Sequence, residues 1–200
     1  MKACIGKSLR IFTIGHSNLS FEQFVSLLKG FGICLVADIR RYPSSRKFPH
    51  FNRHVLCTLL AAENIEYLWL EALGGRRHTG KNGKSLNIGL RNAGFRSYAD
   101  HMATDEFSSA IQKLLSAAAG SCTAVMCAEK LYWKCHRRLL SDYLVAQGVD
   151  VVHIVEPGKA SGHKLTAYAV TTEAGVIYPS PEPGDRQKSF LGLDTEAKPG

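Results

Sequence analysis

The sequence predicts an α/β fold, a three-layer sandwich in which an open, mainly parallel five-stranded sheet carries helices on both faces. Three observations support it. Five short apolar runs resemble strands, amphipathic helical segments lie between them, and two of the runs are almost continuous in β-branched residues, as strands covered on both faces are. Because alternating strands and helices build parallel sheets, and five strands are too few for an eight-stranded barrel, an open sandwich is expected.

The predicted strands are short and are spread over the first three quarters of the chain. They lie at residues 11–14, 33–39, 67–70, 123–126 and 149–155. The second run, ICLVADI, and the last run, VDVVHIV, are the two nearly continuous ones. We therefore expect helices to cover both faces of these two strands.

Four amphipathic segments between the strands predict helices. Ser20 and Gln23 fit a capping box, and Gly30 marks the end of the helix that this box begins. The other three predicted helices centre on residues 55–60, 107–115 and 139–144, and glycines at 120 and 148 close the last two.

The pattern changes after Glu156. Residues 165–170 and 175–178 predict a small hairpin or edge strands, and four of the seven prolines follow from position 179 onward. We therefore expect one α/β domain over residues 1–178 with a small C-terminal β extension. Residues 179–200 are expected to form a Pro-rich, flexible tail.

Length and composition narrow the class of protein. A chain of 200 residues with 45% hydrophobic residues is long enough for one domain with a real core, which argues against disorder. The first twenty residues hold no secretory signal, and no run approaches the roughly 20 apolar residues of a membrane helix. A cytoplasmic protein without a membrane partner is expected, and its six cysteines are interpreted as thiols or ligands.

Charge is the unusual property of the chain. The net charge is +8, and the stretches 40–54, 72–99 and 130–138 hold 15 of the 25 basic residues and no acid. Each stretch follows a predicted strand, so all three are expected at the carboxyl edge of the sheet, where ligands bind. This predicts an anionic partner such as nucleic acid or a nucleotide. The alternative is that basic residues simply populate surface loops.

Polar residues follow the first two predicted strands. His16 and Ser17 come directly after the first strand, where loop side chains on a rigid scaffold often carry function. Asp38 ends the second strand, and Arg40 and Arg41 follow it. Asp38 is either a structural partner of Arg40 or a general base or metal ligand at the rim.

The fourth predicted strand leads to the most informative cluster, Cys127 and Glu129 followed by Cys135, His136 and Arg137. Three interpretations remain open. Cys135 is a nucleophile with a histidine as its base, or the two cysteines hold a metal with His136 or Glu129, or both cysteines are core residues beside an anion-binding helix end. The spacing fits neither a standard zinc finger nor a C-x5-R phosphatase loop.

Several motifs occur together along the chain. They are TIGHSN at 13–18, ADIRRYPSS at 37–45, LGG at 73–75, GFRSYADHM at 94–102, MCAEKLYWKCHRR at 126–138 and VVHI at 151–154. In this order they resemble the bacterial domain of unknown function 488 family, over roughly residues 11–180. The resemblance implies a small, single-domain cytosolic α/β protein and no particular reaction.

The leading functional hypothesis is an enzyme that acts on a phosphate-bearing substrate, a nucleic acid or nucleotide. Hydrolysis of a phosphodiester or glycosidic bond fits it, although no motif selects one. Its expected catalytic residues are His16, Asp38, Glu129, Cys135 and His136. Its expected substrate-binding residues are Ser17, Arg40, Arg41, Arg76, Arg77 and Arg137. Zinc or another transition metal is the cofactor expected if Cys127, Cys135 and His136 are ligands. The alternatives are a nucleic-acid-binding module without catalysis and a structural metal-binding domain.

Overall fold

A six-stranded sheet forms the centre of the molecule. The structure is a computed structural model, and it describes residues 8–77, 85–173 and 175–180. The strands are β1 (Arg10–Gly15), β2 (Leu35–Asp38), β3 (Glu66–Trp69), β4 (Thr123–Cys127), β5 (Asp150–Glu156) and β6 (Lys159–Gly162). Their order across the sheet is β3-β2-β4-β1-β5-β6. The five predicted strands are all present and parallel, which confirms the α/β class.

The edge strand β6 was not predicted. Its sequence, KASG, lacks the apolar residues that mark a strand, and it pairs antiparallel with β5. Gly158, in the turn between the two strands, has a φ of +68°, which favours glycine. The hairpin joins β6 to the sheet through backbone hydrogen bonds, so side-chain periodicity gives little sign of it.

Five helices pack on the sheet. They are α1 (Phe21–Gly30), α2 (Arg53–Ala62), α3 (Ala93–His101), α4 (Asp105–Gly120) and α5 (Arg137–Ala146). The Ser20–Gln23 capping box is present at α1. Helix α3 was not predicted, and its buried face combines Ser97 and His101 with Tyr98 and Ala99. The Asn92 side chain caps it by accepting from the backbone of Gly94 and Phe95.

The helices divide between the two faces of the sheet, which confirms the three-layer sandwich. One hydrophobic core lies on the face covered by α3, α4 and α5, here the α5 face. A second core lies on the face covered by α1 and α2, here the α1 face. Strand β1 serves both cores, because Ile11 points to the α5 face and Ile14 to the α1 face.

A small antiparallel hairpin follows the large sheet. Its strands are β7 (Val170–Thr172) and β8 (Gly175–Ile177), so the predicted C-terminal β extension is confirmed, although residues 165–169 form no strand. Tyr178 anchors the hairpin, because its buried hydroxyl donates to Asp142. Most of the predicted tail, residues 181–200, lies outside the described residues. Within the described part of the chain, no helix is long and apolar enough to cross a membrane.

Candidate functional site

The three basic stretches meet at the carboxyl edge of the sheet. The Arg41 guanidinium donates to the backbone oxygen of Arg76, which joins the first stretch to the second. Gly74 packs against the backbone of Arg41, and Gly75 packs against the imidazole of His136 in the third stretch. A methyl group at either glycine would overlap these neighbours, so the close approach requires glycine. Lys81 and Lys84 lie outside the described residues.

The candidate residues at this edge separate into two clusters on opposite faces of the sheet. The Asp38 cluster, on the α1 face, consists of Asp38, Arg40, His16 and Tyr67. The Cys135 cluster, on the α5 face, consists of Cys127, Cys135, His136 and Arg137. Among the described residues, no hydrogen bond, ion pair or ring contact joins His16 to His136.

Asp38 is fully buried and is saturated with hydrogen bonds. Its oxygens accept from the backbone and Nε of Arg40, both at 2.9 Å, and from the Tyr67 hydroxyl at 2.7 Å. Burial and the Asp38 charge raise the pKa of Tyr67 well above its ordinary value, so this hydroxyl stays a donor. The carboxylate therefore has a structural environment, as in the first of the two sequence-based interpretations.

His16 uses both ring nitrogens. Nδ1 lies 3.0 Å from the carbonyl oxygen of Ser17 and donates to it, while Nε2 accepts from Arg40 at 3.3 Å. The ring stacks on Phe51 at 3.9 Å, and burial together with the Arg40 charge lowers the His16 pKa to about 4. Ser17 donates its hydroxyl to Asn18. In this arrangement His16 is neutral at pH 7 and has no nitrogen free for a substrate proton.

The Cys135 cluster brings two sulfur atoms into direct contact. Cys127 is the last residue of β4, whereas Cys135 follows a 3-10 turn at Tyr132–Lys134 and precedes α5. Their Sγ atoms are 2.8 Å apart, and Nδ1 of His136 is 3.4 Å from the Cys135 Sγ. Both cysteines are free and buried, at 2% and 6% exposure.

The two sulfurs have opposite acidities. The hydrogen bond from the Cys127 thiol, reinforced by His136 and Arg137, lowers the pKa of Cys135 well below its ordinary value. Burial and the neighbouring Cys135 raise the pKa of Cys127 well above it. Cys135 is therefore the more acidic of the two thiols.

His136 is held between the second basic stretch and helix α3. Gly75 covers one side of the imidazole, and the ring of Tyr98 approaches it at 5.0 Å, nearly edge to face. Burial, with the nearby Cys135 sulfur, raises the pKa of Tyr98, so its hydroxyl remains protonated. The ring of His136 is thus positioned against the sulfur pair.

Buried donors hold the loop that covers His136. The Tyr98 hydroxyl donates to the carbonyl of Leu73, and His101 Nε2 donates to the carbonyl of Ala72 at 2.7 Å. Arg77 donates to Ala72 as well, so it stabilises the loop instead of standing free for a substrate. Tyr98 and His101 were not among the predicted site residues. The one signal for them was the motif at 94–102.

Arg137 stabilises the loop between the two cysteines. Its side chain is 1% exposed, and Nη2 donates to the backbone oxygens of Glu129 and Lys130. Gly15 faces the same carbonyl of Glu129 so closely that a Cβ there would overlap it. The Glu129 side chain itself is exposed and accepts from the backbone of Leu131. Arg137 therefore positions the loop, and Glu129 stands outside the sulfur pair.

Five buried side-chain polar atoms, four nitrogens and one oxygen, have no hydrogen-bond partner among the described residues. The buried atoms in this state are Arg41 Nε, His136 Nε2, Arg137 Nε, Arg138 Nε and Ser141 Oγ. Arg41 and His136 are the pair that flank the Gly74–Gly75 backbone. A buried polar atom without a partner is costly, so such atoms often mark a place where a ligand or water binds.

The remaining cations of the edge are exposed. Arg76 and Lys134 lie at the surface, as do Arg46 and Lys47. Arg53 lies over the Trp69 ring at 4.0 Å, a cation–π contact that leaves its charge near the surface. The edge therefore keeps a positive outer layer around the buried clusters.

A metal site at Cys127, Cys135 and His136 receives no support. The described residues contain no group of three or more His, Cys, Asp or Glu side chains arranged to hold a metal ion. Two thiolates on one tetrahedral zinc, with bonds of about 2.3 Å, would lie about 3.8 Å apart. The sulfurs here are 2.8 Å apart, which is too close for two ligands of one zinc ion.

A second buried network lies beside Arg137. His153 Nδ1 is 2.7 Å from the Thr13 hydroxyl, its Nε2 is 2.9 Å from His163, and His163 is 2.9 Å from Asp142. Burial lowers the His153 pKa to about 2, so that ring is neutral. The chain of hydrogen bonds ties β1, β5 and α5 together. Its only sequence signal was the VVHI motif.

Comparison with known proteins gives one match. The family model described as "Domain of unknown function DUF488" matches residues 20–144, which include both cysteines of the pair. Searches of curated proteins and of solved structures returned no match. The matched segment exceeds half of the chain and contains β2, β3, β4 and the start of α5. The chain belongs to the DUF488 family.

Proposed function

We propose that the protein is an enzyme in which the Cys135 thiolate is the nucleophile and the substrate carries a phosphate group, as in a nucleotide or nucleic acid. The observation that carries the proposal is the 2.8 Å contact between Cys127 and Cys135, with His136 3.4 Å from the thiolate sulfur. A thiol is inert until it loses its proton, and these neighbours favour that loss.

The environment of Cys135 supports a reactive thiolate. The hydrogen bond from Cys127 and the charges of His136 and Arg137 lower the pKa of Cys135. The sulfur also lies just before the N-terminus of α5, where the helix dipole stabilises negative charge. The first two residues of this helix are arginines, which the dipole alone would disfavour. Arg137 uses its charge on the carbonyls of Glu129 and Lys130, and the Arg138 guanidinium lies over the Phe95 ring.

Recognition of an anionic group is assigned to the nitrogens next to the thiolate. His136 Nε2 and Arg41 Nε are buried and without partners among the described residues, and a phosphate oxygen would satisfy both. Exposed cations around them, including Arg76 and Lys134, would attract the same substrate from solution. His16 and Asp38 are left in a structural role on the other face.

The proposed reaction is a two-step phosphoryl transfer. The Cys135 sulfur attacks phosphorus, an S–P bond forms, and the P–O bond to the leaving group breaks. His136, as imidazolium, donates its proton to the leaving oxygen. Water then attacks the phosphorus, a new P–O bond forms, and the S–P bond breaks. The attacking water gives its proton to His136, and Cys135 leaves as thiolate.

Turnover of chromogenic phosphodiesters and of nucleotides tests this proposal. We expect Cys135→Ser and Cys135→Ala to abolish turnover while equilibrium binding of the substrate persists. Cys57→Ser is the matched control, because Cys57 is an exposed thiol on α2, away from the site. Full turnover in Cys135→Ala, or no turnover of any phosphate ester by the wild-type chain, contradicts the proposal.

A nucleic-acid-binding module without catalysis is the second candidate. The exposed cations Arg46, Lys47 and Arg76, grouped at one edge, favour it. It predicts oligonucleotide binding with a steep salt dependence that Cys135→Ala leaves unchanged. Arg46→Glu with Lys47→Glu should weaken that binding and reduce the salt slope, whereas Lys113→Glu, on helix α4 away from the edge, should not.

A further inference from the structure

The sulfur pair has a geometry that suits a second chemistry. Cys127 is fixed in the sheet, where its backbone is in register with Gly15 of β1. Cys135 lies outside regular structure, between a 3-10 turn and α5. A disulfide has an S–S distance of about 2.05 Å, so the two sulfurs, now 2.8 Å apart, need to approach by less than about 1 Å.

We propose that Cys127 and Cys135 form a reversible intramolecular disulfide when a peroxide oxidises Cys135. The two residues are joined by a loop of seven residues, 128–134, which contains a single 3-10 turn. This inference does not depend on the proposed phosphoryl transfer, because it requires only the two sulfurs and a small oxidant.

The roles of the two cysteines differ. The two sulfurs are in contact, and the imidazole of His136 lies against Cys135, so Cys135 is the sulfur that attacks. Cys127 is in direct contact with Cys135. No third sulfur among the described residues of this cluster could react with an oxidised Cys135 in its place. The position of Cys127 makes it the resolving cysteine. Hydrogen peroxide is a small molecule that suits oxidation of a buried sulfur pair.

The oxidation balances in two steps. The Cys135 thiolate attacks one peroxide oxygen, an S–O bond forms, the O–O bond breaks, and the departing oxygen takes a solvent proton to become water. The Cys127 sulfur then attacks the sulfenic sulfur, an S–S bond forms, the S–O bond breaks, and hydroxide leaves with the Cys127 proton as water. Two thiols and one peroxide therefore give one disulfide and two waters.

The remaining cysteines need to be removed for a clean test. Cys34 and Cys122 are exposed and lie close together at the start of β2 and β4, where the backbone of Cys34 donates to the carbonyl of Cys122. Cys57 is exposed as well, and Cys4 lies outside the described residues. The background for the experiment is the full chain with these four cysteines changed to serine.

The experiment is hydrogen peroxide titration followed by intact mass and peptide mapping. We expect a mass loss equal to two hydrogen atoms, a cross-linked peptide joining Cys127 to Cys135, and full reversal by dithiothreitol. Cys127→Ser in this background should instead gain one oxygen and react with dimedone, and Cys135→Ser should not react. Mapping of the oxidised wild-type chain gives the same answer if the four-serine background does not fold.

Three results would overturn the inference: two titratable thiols after oxidation, further oxidation of Cys135 without a cross-link, or a disulfide between two molecules. The outcome is separable from that of the proposed function. A disulfide without turnover of any phosphate ester contradicts only the phosphoryl transfer. Turnover without a disulfide contradicts only the present inference.

Discussion

The two buried clusters at the carboxyl edge use similar residue types for different ends. In the Asp38 cluster both carboxylate oxygens and both His16 nitrogens have partners within the protein. In the Cys135 cluster two sulfurs are in direct contact, and Nε2 of His136 has no partner among the described residues. The comparison teaches that a satisfied polar cluster stabilises the fold, whereas an incompletely satisfied one retains the capacity to react.

The largest effect is expected from a substitution that breaks the Asp38 cluster. Asp38→Asn leaves the buried guanidinium of Arg40 without its counter-charge, so we expect a loss of about 3–5 kcal/mol in the free energy of unfolding. Urea denaturation measures it. Asp150→Asn is the matched control, because it breaks the exposed pair with Arg10 and should cost about 0–1 kcal/mol. An equal loss of unfolding free energy in the two variants would contradict the structural role assigned to Asp38.

The second effect disturbs the reactive cluster by steric means. Gly75→Ala places a methyl group against the imidazole of His136, and overpacking of this kind costs about 1–3 kcal/mol. We also expect the Cys135 thiol to react more slowly with iodoacetamide at pH 6, since the imidazole is displaced. Gly120→Ala is the control, because a methyl group there meets open space. It should change the free energy of unfolding by no more than about 1 kcal/mol and leave the alkylation rate unchanged. An unchanged alkylation rate in Gly75→Ala argues against the part assigned to His136.

The third effect is a pH dependence of stability that His16 causes. Its pKa is about 4 in the folded chain and 6.5 in the unfolded chain, so below pH 6.5 the unfolded state takes up the proton first. The free energy of unfolding should therefore fall by about 1.4 kcal/mol per pH unit between pH 6.5 and 4, and His16 should have no such effect above pH 6.5.

Unfolding at pH 7 and at pH 5 measures the contribution of His16. The stability loss between these two values should be about 2 kcal/mol smaller in His16→Asn than in the wild-type chain, because 1.5 pH units separate 6.5 from 5. His54→Asn, which changes an exposed histidine, should keep the wild-type loss. Parallel behaviour of His16→Asn and the wild-type chain contradicts the neutral state assigned to His16.

The smallest effect concerns the proton between the two sulfurs. Cys127→Ala removes the hydrogen bond that lowers the pKa of Cys135, and we expect the apparent pKa of Cys135 to rise. The pH profile of iodoacetamide alkylation measures it, with the exposed cysteines changed to serine. The same serine background with Cys127 retained is the control. If the pH profile of Cys135 alkylation is the same with and without Cys127, the prediction is contradicted. His136 and the helix dipole are then sufficient to lower the pKa of Cys135.

Much of the site was predictable from the sequence, but its division into two clusters was not. The cysteine pair, His136 and the basic stretches were all identified as candidates. Their grouping into one site failed because Asp38 is in register with Met126, one residue before Cys127, so the two side chains emerge on opposite faces. Tyr98 and His101 were not identified because polar residues, Ser97 and His101, occupy part of the buried face of α3, where a purely apolar pattern is expected.

The sequence by itself determined the alternation of strands and helices, the capping box at Ser20, and the collection of positive charge after the strands. These are local properties, encoded by residues near one another in the chain. The tertiary structure alone decided the register between β2 and β4, the passage of Gly74 and Gly75 between Arg41 and His136, and the contact of the sulfurs. These depend on backbone approaches between distant segments, which no periodicity records.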